Sequence, residues 1–195
     1  MKRKYELKKR AEAQAETRRR IVEAAIKLHS TKGPARTTYS EVAQLAGVQR
    51  ATLYKHFPSE RDLGLACSGL YMERNPAPDP SGWRELRGEE RLRRGLTELY
   101  EFYERNQGIF GRLMADFEAH ELTRELFEVR FGEHLMRMRS ALAGALPRGK
   151  KAQAMLDLAL SFGTWRQLSQ SGLSAASAAD AMVHALLGQR ATVRR

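Results

Sequence analysis

A run of hydrogen-bonding side chains at residues 49–56 directly follows a helix-breaking glycine. The stretch "VAQLAGVQRATLYKHF" spans residues 42–57, with an apolar helical pattern on both sides of Gly47. Glycine adopts the left-handed backbone that ends a helix more easily than other residues do. Two short helices joined at Gly47 would form a helix–turn–helix motif. The outward face of the second helix would then carry Gln49, Arg50, Thr52, Lys55 and His56.

Local signals place the start and the core of this motif. Thr38 and Glu41 have the spacing of a capping box, in which each side chain reaches the other residue's free backbone N–H. Ala43 must be small where the two helices cross, and Val48 and Leu53 face inward to hold the second helix on the first. The apolar side of the first helix is expected to comprise Val42, Ala43, Leu45 and Ala46.

The outward side chains suit DNA. A helix of this size fits the major groove with its N-terminal residues at base edges. Arg50 suits guanine and Gln49 suits adenine. The residues of phosphate-bonding type are Thr38, Thr52, Tyr54 and Lys55. From these residues alone, a helical hairpin that binds nothing remains the alternative, because small–glycine–apolar patterns also arise by chance.

Positive charge is concentrated in the same part of the chain. The 195 residues carry 34 Lys/Arg and 23 Asp/Glu, a net charge of +11. Residues 1–62 hold 15 of the basic residues and 7 of the acidic ones, whereas residues 63–195 hold 19 and 16. This imbalance favours a polyanionic partner for the first part. A solvated basic surface that serves solubility is the alternative.

Several classes of protein are disfavoured by what the sequence contains. The single cysteine, Cys67, allows no intrachain disulfide and no zinc site of cysteine pairs, which is typical of the cytoplasm. No signal-peptide pattern and no apolar run of about 20 residues is present, so we predict a cytoplasmic protein without a membrane span. No nucleophile motif, phosphate-binding glycine loop or metal-ligand spacing occurs. We therefore predict no enzyme, no cofactor and no metal site.

Apolar residues recur at helical spacing almost throughout, which predicts an all-α fold. Residues 1–16 are a charged segment of helix-forming composition. The segment "NPAPDPSGW" at 75–83 holds three of the six prolines and is predicted to be a boundary loop. Besides the two helices of the motif, helices are predicted over 17–33, about 59–73, 88–105, 107–119, 122–146, 149–171 and 174–189.

Residues 17–63 resemble a known family. The stretch "TRRRIVEAAIKLHSTKGPARTTYSEVAQLAGVQRATLYKHFPSERDL" resembles the DNA-binding domain of the TetR family of bacterial transcriptional repressors, with "TT", "AGV", "TLYKHF" and "DL" in that family's order and spacing. The resemblance covers about a quarter of the chain. It implies a three-helix DNA-binding domain (17–63) and a helical bundle for ligand binding and dimerisation (64–195), and the basic tail (1–16) precedes them.

The resemblance also implies roles for individual residues. At the start of the second helix, contacts with phosphates and one base would come from Thr38, Tyr39 and Ser40. The residues that would face bases are Gln49, Arg50 and Ala51. The DNA backbone would be held by Thr52, Tyr54, Lys55 and His56.

Three positions depart from the family pattern. Gln49 stands where a small capping residue such as Ser is usual, so the recognition helix is expected to be less well capped. Glu60 stands where Lys often contacts a phosphate, and Arg61 beside it could replace that contact. His29 stands where an apolar aromatic residue is usual.

The basic segment at residues 1–20 offers a further contact with DNA. It has nine Lys/Arg and three Glu, so it could lie along flanking DNA, and N-terminal arms of other DNA-binding proteins enter the minor groove. A disordered or tag-like segment is the alternative.

The C-terminal part contains two stripes that suit a dimer. Two helices from each subunit would form a four-helix interface across a two-fold axis. The alternative is that both stripes pack inside one subunit. The predicted interface residues are Met155, Ala159, Phe162, Gly163, Arg166, Ala178, Met182 and Leu186.

A small-ligand pocket would lie between the middle helices, although a residue of this kind is more often part of a plain core than of a pocket wall. Polar anchors or metal ligands could come from His120 and His134, but lone histidines among glutamates are usually surface residues. A buried structural thiol is favoured over a redox sensor at Cys67. The predicted walls are Phe102, Tyr103, Phe110, Met114, Phe117, Phe131, Met138 and Trp165.

Two functions are therefore compatible with the sequence. The first is a homodimeric repressor that binds a two-fold symmetric operator and is released by a small ligand. The second is a DNA-binding regulator without such an effector, whose bundle serves dimerisation or a protein partner. A dry, fully packed C-terminal core would favour the second.

Overall fold

The computed structural model describes the backbone of residues 2–188 and the side chains of residues 5–188. These residues form helices and no strand, so the all-α prediction is confirmed. Residue 1 of the predicted segment 1–16, and residues 189–195 at the ends of the predicted segments 64–195 and 174–189, lie outside the described residues. The α-helices are α1 (Lys2–Lys32), α2 (Tyr39–Ala46), α3 (Arg50–His56), α4 (Glu60–Arg74), α5 (Gly88–Arg105), α6 (Gln107–Asp116), α7 (Glu121–Phe127), α8 (Glu133–Ala143), α9 (Lys150–Leu160), α10 (Phe162–Gln170) and α11 (Ala175–Gly188).

The chain divides into two compact units. The N-terminal unit comprises the residues up to Asn75 together with Gly111–Arg130, and the C-terminal unit comprises Pro76–Phe110 together with the residues from Phe131 on. Residues 2–188 contain no helix that is long and apolar enough to cross a membrane. Three short elements complete the fold: 3-10 helices at Pro34–Arg36 and Gly82–Glu85, and a π-helix at Glu128–Gly132.

One apolar core holds the N-terminal unit together. The predicted helix at 17–33 supplies Ile21 and Ala25, both fully buried. This helix begins at Lys2 rather than at residue 17, because residues 2–16 are mostly good helix formers. The buried residues of this core are Ile21, Val22, Ala24, Ala25, Tyr39, Val42, Ala43, Ala46, Leu53, Phe57, Leu63 and Cys67.

Helix α4 contacts residues 111–130 through its glycines. A Cβ atom at Gly64 would lie 2.4 Å from Cδ1 of Leu126, and one at Gly69 would lie 3.2 Å from Nη2 of Arg130. The guanidinium of Arg130 donates hydrogen bonds to the Leu65 carbonyl (2.7 Å) and to Oγ of Ser68 (3.2 Å). Small residues on α4 therefore allow this close packing within the N-terminal unit.

Helix α5, observed at the predicted residues 88–105, packs against α11 in the C-terminal unit. The predicted helix 149–171 is two helices, because Ser161 adopts an extended backbone and its Oγ accepts from the Gly163 N–H, which starts α10. The hydroxyls of Tyr100 and Tyr103 donate to the carbonyls of Ala159 and Leu160 at the end of α9.

Two other predicted helices also differ. The helix predicted over 107–119 ends at Asp116, and the one predicted over 122–146 is interrupted by the π-helix and ends at Ala143. Apolar spacing extends across such interruptions and so cannot locate them.

Candidate nucleic-acid interface

A complete capping box begins α2, as the sequence predicted. Oγ1 of Thr38 accepts from the Glu41 N–H (3.3 Å), and the Glu41 carboxylate accepts from the Thr38 N–H (2.9 Å). A hydrogen bond from Lys32 is the largest cause that lowers the pKa of Glu41, to about 2, and the bonds from Thr38 add to it. The charged carboxylate fixes the position at which α2 starts.

Gly47 forms the turn between α2 and α3. Its backbone lies in the left-handed region at φ 64° and ψ 40°, and its N–H bonds to the carbonyls of Ala43 and Gln44. The Val48 N–H then donates to the Ala43 carbonyl at 3.0 Å. The predicted glycine turn is therefore confirmed, since these bonds satisfy the last carbonyls of α2.

Helix α3 is held by its inward residue. Leu53 has no exposed surface and is the buried residue of this seven-residue helix. Ala43 is buried and Val48 packs against the same core, as predicted. Leu45, expected on the apolar side of α2, is instead 44% exposed, because it lies about 100° around the helix from the buried side formed by Val42, Ala43 and Ala46.

The start of α3 has no side-chain cap. Gln49 occupies the N-cap position with an extended backbone, but its side chain accepts no hydrogen bond from the helix. The weaker capping expected from glutamine at this position is thus confirmed, and the attachment of α3 depends on burial rather than on its cap.

The structure brings the predicted DNA-contacting residues together on one unit, and all but one have accessible surface. Tyr39 is 8% exposed and its hydroxyl donates to the Phe57 carbonyl (3.2 Å), so it positions the end of α3 instead of offering a free phosphate contact. Thr52 and His56 are half-buried. The exposed members are Thr38, Ser40, Gln49, Arg50, Ala51, Tyr54 and Lys55.

Arg50 lies on an aromatic support. Its Nη2 donates to the Tyr54 hydroxyl (3.1 Å), and its guanidinium carbon lies 5.4 Å from the centre of the Tyr54 ring. The Tyr54 ring in turn lies 4.9 Å from that of Tyr39, between centroids. The guanidinium is therefore held at the first turn of α3 with most of its N–H groups unused by Tyr54.

A groove of about 470 Å³ lies beside this support, with Thr38, Ser40, Arg50 and Tyr54 among its lining residues. Exposed Glu60 lines it too, and its charge opposes a phosphate there. Arg61, expected as a replacement contact, pairs with Glu125 (Nε to Oε1, 2.7 Å). The groove's attraction for phosphate therefore depends on Arg50 and on hydroxyl and backbone groups.

Sequence patterns gave no indication of Asp116, which supports the turn before α2. Its buried carboxylate accepts from the Ala35 N–H at 3.0 Å, and a Cβ atom at Gly33 would lie 2.6 Å from its Oδ2. The two bonded residues are 81 positions apart, so no local signal could have joined them. Asp116 thereby fixes the entry to the helix–turn–helix.

His29 and Cys67 form a second buried contact, with 3.5 Å between Nδ1 and Sγ. Burial, and then the charge of His120, lower the pKa of His29 to about 4, while Asp116 opposes this shift. Burial raises the pKa of the Cys67 thiol to about 12, which keeps it protonated and unreactive at neutral pH. These values support the structural thiol favoured from the sequence.

The two histidines weighed as anchors or metal ligands belong to different units. Nδ1 of His120 is 2.7 Å from Oγ1 of Thr123 in the N-terminal unit, and His134 belongs to the C-terminal unit. No group of three or more His, Cys, Asp or Glu side chains suitable for a metal occurs in the part of the chain that the structure describes.

The predicted pocket walls separate into two groups. Met114 and Phe117 belong to the N-terminal unit, where Phe117 packs against Phe127 at 5.5 Å between ring centroids. Met138 is fully buried in the C-terminal unit. The other five walls, together with Phe162, form an aromatic cluster in which neighbouring ring centroids are 5.2–6.4 Å apart: Phe102, Tyr103, Phe110, Phe131 and Trp165.

Most of the predicted interface residues are buried within a single chain, as in the alternative left open by the sequence. They pack inside the C-terminal unit and so leave no side-chain surface for a partner. Exposed or half-buried surface remains at Met155, Gly163 and Arg166. The buried members are Ala159, Phe162, Ala178, Met182 and Leu186.

Comparison with known proteins matches the N-terminal unit to a sequence family. Residues 21–67 match the family described as bacterial regulatory proteins, tetR family. The chain is 46% identical over 48 residues to the HTH-type transcriptional regulator TtgR of Pseudomonas putida, which is 25% of this chain and 23% of that protein. It is 43% identical over 56 residues to AcrR of Shigella flexneri, or 29% of this chain and 26% of AcrR. The match thus spans about a quarter of these relatives.

Solved structures share the fold over most of the chain. The hemolysin II transcriptional regulator HlyIIR has a TM-score of 0.63 at 19% identity, with 88% of this chain and 97% of HlyIIR covered. A tetR-family transcriptional regulator from Streptomyces coelicolor has a TM-score of 0.60 at 21% identity, with coverages of 92% and 84%. Residues 21–67, which include the observed helix–turn–helix, therefore belong to the tetR family of bacterial regulatory proteins, and the chain shares its helical fold with these solved structures.

Proposed function

We propose that this protein is a DNA-binding transcriptional regulator that places α3 in the major groove. The observation that carries the proposal is the exposed first turn of α3, where Arg50 is held over Tyr54 directly after the Gly47 turn. Major-groove readers present such N-terminal residues of the recognition helix to base edges. The relatives matched over this region are named transcriptional regulators, which supports a regulatory and not an enzymatic role.

We further propose that the regulator is a homodimeric repressor in the bacterial cytoplasm, where its DNA partner lies. Two recognition helices about 34–36 Å apart would meet successive major grooves of a two-fold symmetric operator. A small ligand would release the dimer if it bound the DNA-free state more tightly, and DNA would then weaken ligand binding equally. The surface at Met155, Gly163 and Arg166 is available to a partner subunit.

The aromatic cluster of the C-terminal unit favours a second candidate, a regulator without a small-molecule effector. Phe102 and Phe131 stack at 5.7 Å between centroids, and Phe110 meets both rings edge-on. Such packing is that of a filled core, so a ligand at these residues would have to displace rings. This candidate would be supported if small molecules that bind the C-terminal unit, added at saturating concentration, left the affinity for DNA unchanged.

Selection from a random DNA pool tests the proposal directly. The purified full chain should enrich a two-fold symmetric sequence at moderate salt, with half-sites about 10 base pairs apart between centres. Enrichment of a single asymmetric half-site would contradict the dimer and keep DNA recognition. No enrichment would contradict the proposed function itself.

Arg50→Ala should relax base preference at one position of each half-site. The lost contact with a guanine is worth about 1–3 kcal/mol of discrimination. The matched control is Lys55→Ala on the same helix, which should weaken binding to all sequences about equally. Competition between the selected operator and its single-base variants measures both effects. Unchanged preference in Arg50→Ala would reject a reading role for Arg50.

A further inference from the structure

Helix α1 continues well beyond the core of its unit. Its first buried residue is Ile21, and the side chains of residues 5–20 are exposed except for half-buried Thr17. We call residues 2–20 the extension. At 1.5 Å per residue it is about 28 Å long, which equals about eight base pairs of duplex. An element of this length adds nothing to the apolar core, so its exposed surface is available for a partner.

The extension leaves the N-terminal unit beside the helix–turn–helix. The guanidinium of Arg18 lies 4.8 Å from the ring centre of Phe57, the residue that follows α3. Nη1 of Arg20 lies 3.7 Å from the position that a Cβ atom would take at Gly47, in the turn before α3. The end of the extension that adjoins the core, at Arg18 and Arg20, therefore lies close to both ends of the proposed recognition helix.

One face of the extension carries cations and no carboxylate. Leu7, Gln14 and Arg18, with Arg10 at the edge, continue the row of residues that becomes Ile21, Ala25 and Leu28 further along α1. Since that row packs into the core against α2 and α4, its continuation faces the same side, where Arg18 reaches Phe57 at the end of α3. Neither Arg10 nor Arg18 has a carboxylate partner among the described residues.

Three acidic residues of α1, Glu12, Glu16 and Glu23, lie on the opposite face, and each is paired with a cation. Lys8 lies 3.9 Å from Glu12, and Arg19 lies 2.9 Å from Glu16, both measured from side-chain nitrogen to oxygen. Arg74 of α4 forms a bidentate pair with Glu23 further along the same face. The carboxylates thus neutralise the outer face and leave the charge of the inner face uncompensated.

We propose that the extension is a second DNA-contacting element, in which Arg10, Gln14 and Arg18 bond phosphates of the duplex that flanks the half-site. The proposal rests on the proposed function. A helix about 10 Å wide does not fit a minor groove about 6 Å wide, so the extension lies on the backbone and not in that groove as an arm would. Phosphate contacts add affinity and salt dependence but no sequence preference.

A double variant with a matched control tests whether the inner face of the extension contacts phosphates. Arg10→Gln with Arg18→Gln removes two cations from the inner face, and Lys8→Gln with Arg19→Gln removes two from the outer face. Each phosphate contact contributes about 0.9 to the slope of log affinity against log salt. The inner variant should therefore lower the slope by about 1.8 for each bound chain and the affinity about tenfold. The outer variant should change the slope by less than half as much.

Two controls distinguish the loss of a phosphate contact from a loss of folding: a variant that leaves the core intact, and an operator without flanking base pairs. Arg18 packs on Phe57, so Arg10→Gln alone serves as a variant that touches no core residue and should lower the slope by about 0.9. Trimming the operator to its half-sites should weaken wild-type binding and leave the inner double variant nearly unaffected. These measurements use the selected operator with about ten added base pairs on each side, enough to span the extension.

The outcomes distinguish this proposal from the proposed function. Equal losses in the inner and outer variants would mean unspecific attraction by net charge and would overturn the role of the inner face. A wild-type chain that binds the trimmed and flanked operators equally would overturn the flanking contact while the helix–turn–helix still read its site. A wild-type chain that selects no DNA would overturn both proposals.

Discussion

Leu53→Ala should lower the free energy of unfolding of the N-terminal unit by about 2–5 kcal/mol and abolish operator binding. Truncating a fully buried leucine loses its transfer free energy and leaves a cavity. The lost stability mainly affects α3, because this helix has only seven residues and no side-chain cap. An isolated helix shorter than about 12 residues is marginal in water, so α3 depends on this burial.

Leu45→Ala is the matched control, because the chemical change is the same on the neighbouring helix. Leu45 is 44% exposed, and its truncation should change stability by no more than about 0.5 kcal/mol. Urea unfolding followed by circular dichroism and operator titration by fluorescence anisotropy measure the two effects. Equal stability of the two variants would show that Leu53 does not anchor α3.

Acid should destabilise the N-terminal unit through His29. The pKa of His29 is about 4 in the folded chain, against an ordinary value of 6.5, chiefly because burial disfavours the charged ring. Between these two pH values the unfolded chain binds the proton and the folded chain does not. Stability is therefore fully present above pH 6.5 and falls as the pH drops towards 4, by up to about 3 kcal/mol.

His29→Phe should remove this part of the acid sensitivity, since the family's usual aromatic side chain there cannot be protonated. The same substitution at half-buried His134, in the C-terminal unit, should leave the acid loss as in the wild type. Unfolding midpoints in urea from the folded-state pKa of about 4 up to neutral pH measure the slope for all three proteins. A His29→Phe variant with the wild-type slope would mean that other groups carry the pH dependence.

Residues close in sequence were predicted well. The Thr38–Glu41 capping box, the turn at Gly47 and the inward position of Leu53 all follow from spacings of three to six residues. These features can be predicted because they depend on hydrogen bonds and backbone preferences within one or two helical turns. The residues predicted to contact DNA have accessible surface in the structure, with Tyr39 as the exception, and their contacts with DNA stay a prediction.

Burial was predicted less well, because it depends on which surfaces meet. Apolar stripes on α10 and α11 suit a partner helix of either the same or another chain, and Phe162, Ala178 and Leu186 are used within the chain. Leu45 has the helical spacing of a core residue but lies where no neighbour covers it. Periodicity gives the direction of a side chain and not the element that it meets.

The helix–turn–helix could be derived from the sequence alone, since local hydrogen bonds and helical period suffice to define it. The contact of Asp116 with the turn at Ala35 and the burial of His29 against Cys67 became evident only in the folded chain. Contacts between residues far apart in the chain are set by the packing of whole helices, and no short pattern encodes that packing.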